Sequence, residues 1–123
     1  MAESSFRDLR VWRESMRLTA EIYRYSANFP REETYGLASQ MRRAAVSIPS
    51  NIAEGKGHRS NREFLQFLFH ARGSLLELQT QVMIAEELQY SSKEKSQHLL
   101  ALAEGVGRAL SGLINALREK SAA

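Results

Sequence analysis

Residues 68–85 read "LFHARGSLLELQTQVMIA". Leu68, Ala71, Leu75, Leu78, Val82 and Ala85 recur at steps of 3, 4, 3, 4 and 3. A period of 3.5 places all six on one stripe of an α-helix, whereas a strand would split them evenly between its two faces. Upstream, "SNRE" has the form of a capping box, with Ser60 able to accept from the Glu63 amide and Glu63 able to reach back. The spacing predicts a helix over 61–89.

The pattern repeats downstream. Leu99, Ala103, Val106, Leu110, Leu113 and Leu117 form a second seam, and "SSKE" offers Ser91 with Glu94 as its cap. This predicts a helix over 92–120. Upstream, Leu37, Met41, Ala44, Ile48 and Ile52 give a stripe over 31–55, with Gly55 and Gly57 as stop residues. Pro49 lies inside it. Its ring displaces the Ala45 carbonyl and it has no amide hydrogen, so a continuous helix kinked at Pro49 is expected. The first helix is expected over 6–29. It carries two apolar rows: Trp12, Met16, Ala20, Tyr23 and Ala27, and beside them Val11, Leu18, Ile22, Tyr25 and Phe29.

Four elements of this length are rods of roughly 36–43 Å. The short connections predict an all-α, antiparallel up-down-up-down four-helix bundle with shallow left-handed crossings, in one domain spanning 1–123. The chain has 123 residues and no cysteine, which excludes disulfides and thiolate metal sites. No apolar run approaches the roughly 20 residues that span a bilayer. "MAESSFRDLRVW" lacks an apolar signal core. No membrane partner and a cytoplasmic location are the expectations.

Apolar residues exceed the needs of one bundle. Phe64, Leu65, Phe67, Phe69, Leu76 and Met83 lie outside the third seam, and the first helix has its second row. Monomers avoid exposing such patches, so a homo-oligomer is expected, against the alternative of a wide core face with scattered apolar side chains. The outer face of the second helix (Ser39, Arg43, Val46, Ser47, Ser50, Glu54) is mostly small, which suits either a subunit contact or a solvated face.

Chemistry is sparse. "AEGKGHRS" lacks the spacing and the preceding strand of a phosphate loop. His58 and His98 each follow a glutamate by four residues (Glu54, Glu94), and His70 stands apart. Such pairs interact on helix faces without making a metal site, and no Glu-x-x-His pair of a di-iron bundle is present. No catalytic residue, metal site or cofactor is therefore expected, and no enzyme.

Net charge is +3. Residues 1–72 hold 12 basic and 8 acidic groups, while 73–123 hold 5 and 6, so the excess lies in the first part. Lys56, His58, Arg59 and Arg62 cluster between the second and third helices, beside the positive dipole end of the third. Arg10, Arg13 and Arg17, with Arg7, line the first helix. These are the candidate nucleic-acid-binding residues, a solvated basic end being the alternative. Arg17, Arg42, Arg43 and Arg72 are expected at one height, with Arg42 level with Leu18 and Ser74. Arg72 is expected to be half-buried and ion-paired with Glu14 or Glu21, or to bind an anion as part of that arginine band.

Three segments, "FRDLRVWRESMRL", "FPREETYGLASQMRRAAVSIPSNIAEG" and "EFLQFLFHARGSLLELQTQ", resemble the bacterial four-helix-bundle proteins encoded by intervening sequences of 23S ribosomal RNA genes. The resemblance implies a homopentameric barrel. It also implies similarity to the accessory variability protein of diversity-generating retroelements, whose basic barrel binds a reverse transcriptase and nucleic acid. The implied partners are thus a second copy of the chain, RNA or DNA, and a nucleic-acid-processing enzyme. The family offers no agreed catalytic residues. Its matching positions here, Arg42, Arg43, Pro49, Asn51, Glu54, Gly55, Arg72 and Gly73, are taken as mainly structural. The nearly neutral C-terminal part departs from a strongly basic barrel.

Overall fold

The computed structural model describes residues 5–122. Four helices make the fold: α1 (Arg10–Ser26), α2 (Leu37–Lys56), α3 (Asn61–Glu87) and α4 (Lys93–Ala122). Each packs on two neighbours, in the cycle α1–α2–α3–α4–α1. Among the described residues the diagonal pairs do not approach. Pairs along α1 and α2 run in opposite orders: Arg42 meets Ser26, and Ala45 meets Thr19. The same holds for α2 and α3, where Ser47 meets Ser74 and Gly55 meets Phe67. One apolar core runs between all four helices.

The third seam is as the spacing predicts, with all six residues buried. The first helix differs. Its buried stripe is Val11, Ser15, Leu18, Ile22 and Ser26, whereas Met16 and Tyr23 are 44% and 43% exposed. The row beginning at Trp12 is therefore the outer one. Two serines hide the true stripe from a count of apolar residues. Ser15 Oγ donates to the Trp12 carbonyl and Ser26 Oγ to the Ile22 carbonyl, each at 2.8 Å, so both hydroxyls are satisfied inside the core.

The first helix also starts later than predicted. Ser5 and Asp8 form a capping box on a short 3-10 turn, Phe6–Asp8, and Leu9 is extended before α1 begins. Similarly, Arg31–Glu33 forms a separate 3-10 turn. α2 begins only at Leu37, whose amide donates to Glu33 Oε1 at 3.0 Å. In α4 the cap is Ser92, accepting from the Lys95 amide, in place of Ser91. Ile114 replaces Leu113 in its buried seam (Leu99, Ala103, Val106, Leu110, Ile114, Leu117). Two apolar residues stand side by side there, and the neighbouring helices select one.

α2 runs uninterrupted through Pro49, which is buried. The Ala45 carbonyl, deprived of a proline amide, lies 3.1 Å from Thr19 Oγ1 on α1; the same hydroxyl lies 2.8 Å from the Ser15 carbonyl. A neighbouring helix thus serves the acceptor that the proline leaves orphaned. Gly55 is not a stop residue. It lies inside α2, fully packed, and a Cβ there would stand 2.7 Å from Phe67 Cβ and 2.9 Å from Phe64 Cδ1. Its missing side chain lets α3 close onto α2. Gly57 caps the helix.

At the opposite end of the bundle, Gln89 takes the left-handed conformation (φ 62°) that ends α3. The Tyr90 hydroxyl then donates to Glu33 Oε2 at 2.7 Å, joining the α3–α4 and α1–α2 connections. Ring contacts continue from Tyr90, tilted against Phe29, to Tyr25, set edge-to-face on the same ring; the Tyr25 hydroxyl meets Ser96 at 2.9 Å.

Candidate nucleic-acid interface

The α2–α3 connection is only four residues, Gly57–Ser60, so Lys56, His58, Arg59 and Arg62 are held close together. The first three border a groove of about 920 Å³ between this connection and the Phe6–Asp8 turn, and Arg62 stands outside its lining, on the first turn of α3. Lys56, His58, Arg59 and Asn61 line it, and Phe6 and Phe64 give it an apolar wall. Lys56, Arg59 and Arg62 enter none of the ion pairs among the described residues.

Of the four, His58 has the most defined contacts. Its Nδ1 lies 2.6 Å from Glu63 Oε2. The imidazole stacks on Phe67, centroids 4.8 Å apart and planes 29° apart. Phe67 itself is pressed against Gly55. The expected Glu54–His58 pair is thus replaced by Glu63–His58, because α2 ends and the chain turns before His58 can sit over Glu54. Ser60 accepts from the Glu63 amide at 3.1 Å and donates to Glu63 Oε1 at 3.2 Å. The Glu63 carboxylate therefore serves His58 and the Ser60 hydroxyl instead of completing a capping box. These bonds hold its pKa below the ordinary carboxylate value, the His58 contact acting most strongly and the Ser60 hydroxyl next.

The arginines of α1 lie apart from the groove. Arg10 pairs with Glu14 at 2.7 Å and Arg17 with Glu21 at 3.4 Å. Arg13 Nη1 donates to the Arg7 carbonyl, holding the 3-10 turn against α1. Arg7 comes nearest, with its guanidinium 4.7 Å over Phe6, a groove residue. Glu21 also meets His98 across the helices at 3.1 Å, so the expected Glu94–His98 pair is not formed.

The expected arginine band dissolves. Arg42 Nε donates to Ser26 Oγ at 2.8 Å and Nη2 to the Tyr23 carbonyl at 3.1 Å, with the guanidinium over the Tyr23 ring. It covers the last turn of α1, where a cation is favoured. Its level is not that of Leu18 and Ser74, because the α1–α2 connection extends to Gly36. Arg43 lines a separate groove between α2 and α3 with Glu77. Arg72 is exposed and stacks over Phe69 at 5.1 Å, so the half-buried ion pair with Glu14 or Glu21 is not made. Arg118 on α4 approaches the same ring at 5.1 Å, a contact with no local sequence signal. Asn51 donates to the Ser47 carbonyl and hydroxyl, and Ser47 meets Ser74 at 2.8 Å, giving a polar clamp between α2 and α3.

Among the described residues, no group of three His, Cys, Asp or Glu side chains could hold a metal ion. No described helix is long and apolar enough to cross a membrane. No curated protein matches the chain. Its fold is similar to that of a crystal structure of a protein of unknown function from the S23 ribosomal protein family of Bacteroides thetaiotaomicron. The TM-score is 0.76 at 20% identity, over 85% of this chain and 97% of that one. That likeness carries the fold. The model of the 23S rRNA-intervening sequence protein family matches residues 7–112, nearly the whole bundle, and the chain belongs to that family.

Proposed function

We propose that this protein is a non-enzymatic, homo-oligomeric helical bundle that binds nucleic acid, or a protein that handles nucleic acid, through the basic end formed by Lys56, His58, Arg59 and Arg62. The observation that carries the reading is the set of three cations without ion-pair partners among the described residues, gathered at one end of the bundle by a four-residue connection, with Lys56 and Arg59 on one groove and Arg62 beside them in sequence. Cations held in this way release counterions when they meet phosphates, which gives affinity without reading sequence.

The test is retention of a labelled RNA at two salt concentrations. Three phosphate contacts make binding fall by about one to two orders of magnitude between 50 and 200 mM salt. Replacing Lys56, Arg59 and Arg62 together by Ala flattens that dependence. No retention at 50 mM salt refutes the reading.

Two exposed apolar faces support assembly, and they support the rival reading of a protein-interaction module without polyanion affinity. Met16, Tyr23 and Val46 lie on α1 and α2; Leu76, Met83 and Ile84 lie on α3, and Leu88 caps it. Two different patches on one subunit suit a head-to-tail contact, which closes into a ring, and the family resemblance implies five members. Recovery of one protein partner that survives nuclease treatment, with no RNA retained, selects the rival.

A further inference from the structure

We propose that the groove at the α2–α3 connection takes single-stranded nucleic acid, with one base stacked on the His58 imidazole and the adjoining phosphates on Lys56 and Arg59. The proposal rests on the nucleic-acid reading above and adds the class of strand.

Charge alone does not distinguish a duplex from a single strand, because both present phosphates. An aromatic face does. In a duplex the faces of the bases are covered by their neighbours, whereas an unpaired base offers its face to a ring. The groove supplies such a ring beside its cations. One face of His58 is covered by Phe67 at 4.8 Å, and the side chain remains 38% exposed where it lines the groove. A base on the remaining face continues an existing stack.

The platform is set before any ligand arrives. The Glu63 contact at 2.6 Å fixes the edge of the imidazole, and Phe67 fixes its plane. Phe67 cannot retreat easily, because Gly55 of α2 closes against it. Little side-chain freedom is left to lose on binding, which favours affinity. Lys56 precedes the ring by two residues and Arg59 follows it by one, and both line the same groove. The volume of about 920 Å³ lies within the range of sites that enclose small organic ligands. An acidic peptide satisfies the cations but gains nothing from the ring, so the stacked pair favours nucleic acid.

Fluorescence anisotropy of the full-length protein tests this with three probes of equal length: a labelled oligouridylate of 20 nucleotides, the same backbone without bases, and a 20-base-pair RNA duplex. Oligouridylate is expected to bind most tightly. His58→Ala should weaken it about five- to 150-fold, the range a single base–aromatic stack supplies, and leave the duplex within twofold. His58→Tyr should restore most of the loss, which separates stacking from a general effect on the fold. Circular dichroism at 222 nm checks that each variant keeps its helices.

The proposal is overturned if the strand without bases binds as tightly as oligouridylate, or if His58→Ala weakens strand and duplex alike. Duplex binding that matches single-strand binding, with His58→Ala silent, overturns this inference and leaves the basic end as a phosphate site. Failure of all three probes to bind overturns both readings.

Discussion

Replacing Gly55 by Ala adds one methyl group at the closest approach of α2 and α3. The new Cβ would stand 2.7 Å from Phe67 Cβ, 2.9 Å from Phe64 Cδ1 and 3.3 Å from Phe67 Cγ. Ordinary contact begins near 3.4 Å, so something must move by more than half an ångström. Phe67 Cβ sits next to its own backbone and cannot swing away, and Phe64 is buried. Overpacking of this kind costs about 1–3 kcal/mol. Against it stands the higher helix propensity of Ala, which contributes about 1 kcal/mol. The propensity gain is common to any Gly-to-Ala change in a helix interior, so a control removes it. Gly73 and Gly112 are also helical, and a Cβ at either meets nothing within 4 Å. Gly73→Ala and Gly112→Ala are expected to stabilise by about 0.5–1 kcal/mol. The difference between Gly55→Ala and these controls isolates the clash at about 1–3 kcal/mol, or roughly 4–12 °C in Tm. Thermal unfolding followed at 222 nm reads it, and urea midpoints at unchanged m confirm that stability is what moved. A Gly55→Ala protein as stable as the controls refutes the account of Gly55 as the residue that lets the helices close.

Thr19→Val should cost about 1 kcal/mol by leaving the Ala45 carbonyl without its donor, and the cost should shrink in a Pro49→Ala background, where position 49 regains an amide; a double-mutant cycle in urea should give a coupling of about 0.5–1 kcal/mol. Gln89→Gly relieves a left-handed conformation in a residue with a side chain and should raise stability by about 1 kcal/mol, read as a higher urea midpoint. Stability should also fall at both pH extremes. Glu33 is held below its ordinary pKa, first by the Leu37 amide and then by the Tyr90 hydroxyl, so its contribution is present above the carboxylate range and lost as pH falls below about 4.3. Tyr90 is raised, first by its bond to Glu33, so its contribution is present below about pH 10 and lost as pH rises through its folded value. In a Tm profile against pH, Glu33→Gln should flatten both edges; a profile parallel to that of the unaltered chain contradicts the latch. Leu76→Asp with Met83→Asp should shift light scattering towards the 13.9 kDa of one chain, and a 13.9 kDa species before substitution removes the assembly proposal.

Much of the fold is legible in the chain because a helix's apolar period is local. Leu68 to Ala85 declare their seam without reference to anything else, and Met41, Ala44, Ile48 and Ile52 do so nearly as well. The basic cluster of the candidate site is equally legible, since Lys56, His58, Arg59 and Arg62 lie within seven residues. What those residues touch is not. His58 takes Glu63 and Phe67 in place of Glu54 because the helix ends between them. His98 takes Glu21 from another helix in place of Glu94 from its own. Arg42 lands on the end of α1 because the preceding connection is longer than its proline suggests.

By itself, then, the amino-acid sequence determined four helices, three of their four core faces in large part, and a cluster of cations between the second and third. Tertiary structure decided which of two apolar rows on α1 faces inward, and it chose the one containing Ser15 and Ser26. It also turned Gly55 from an apparent helix stop into the point where two helices touch. The physical reason is common to both. Periodicity tells which residues share a face, but burial depends on how closely a neighbouring helix can approach that face. Small residues fit such a face while contributing least to any apolar pattern: Ser15 and Ser26 are buried in the core, and Gly55 lets α3 close on α2.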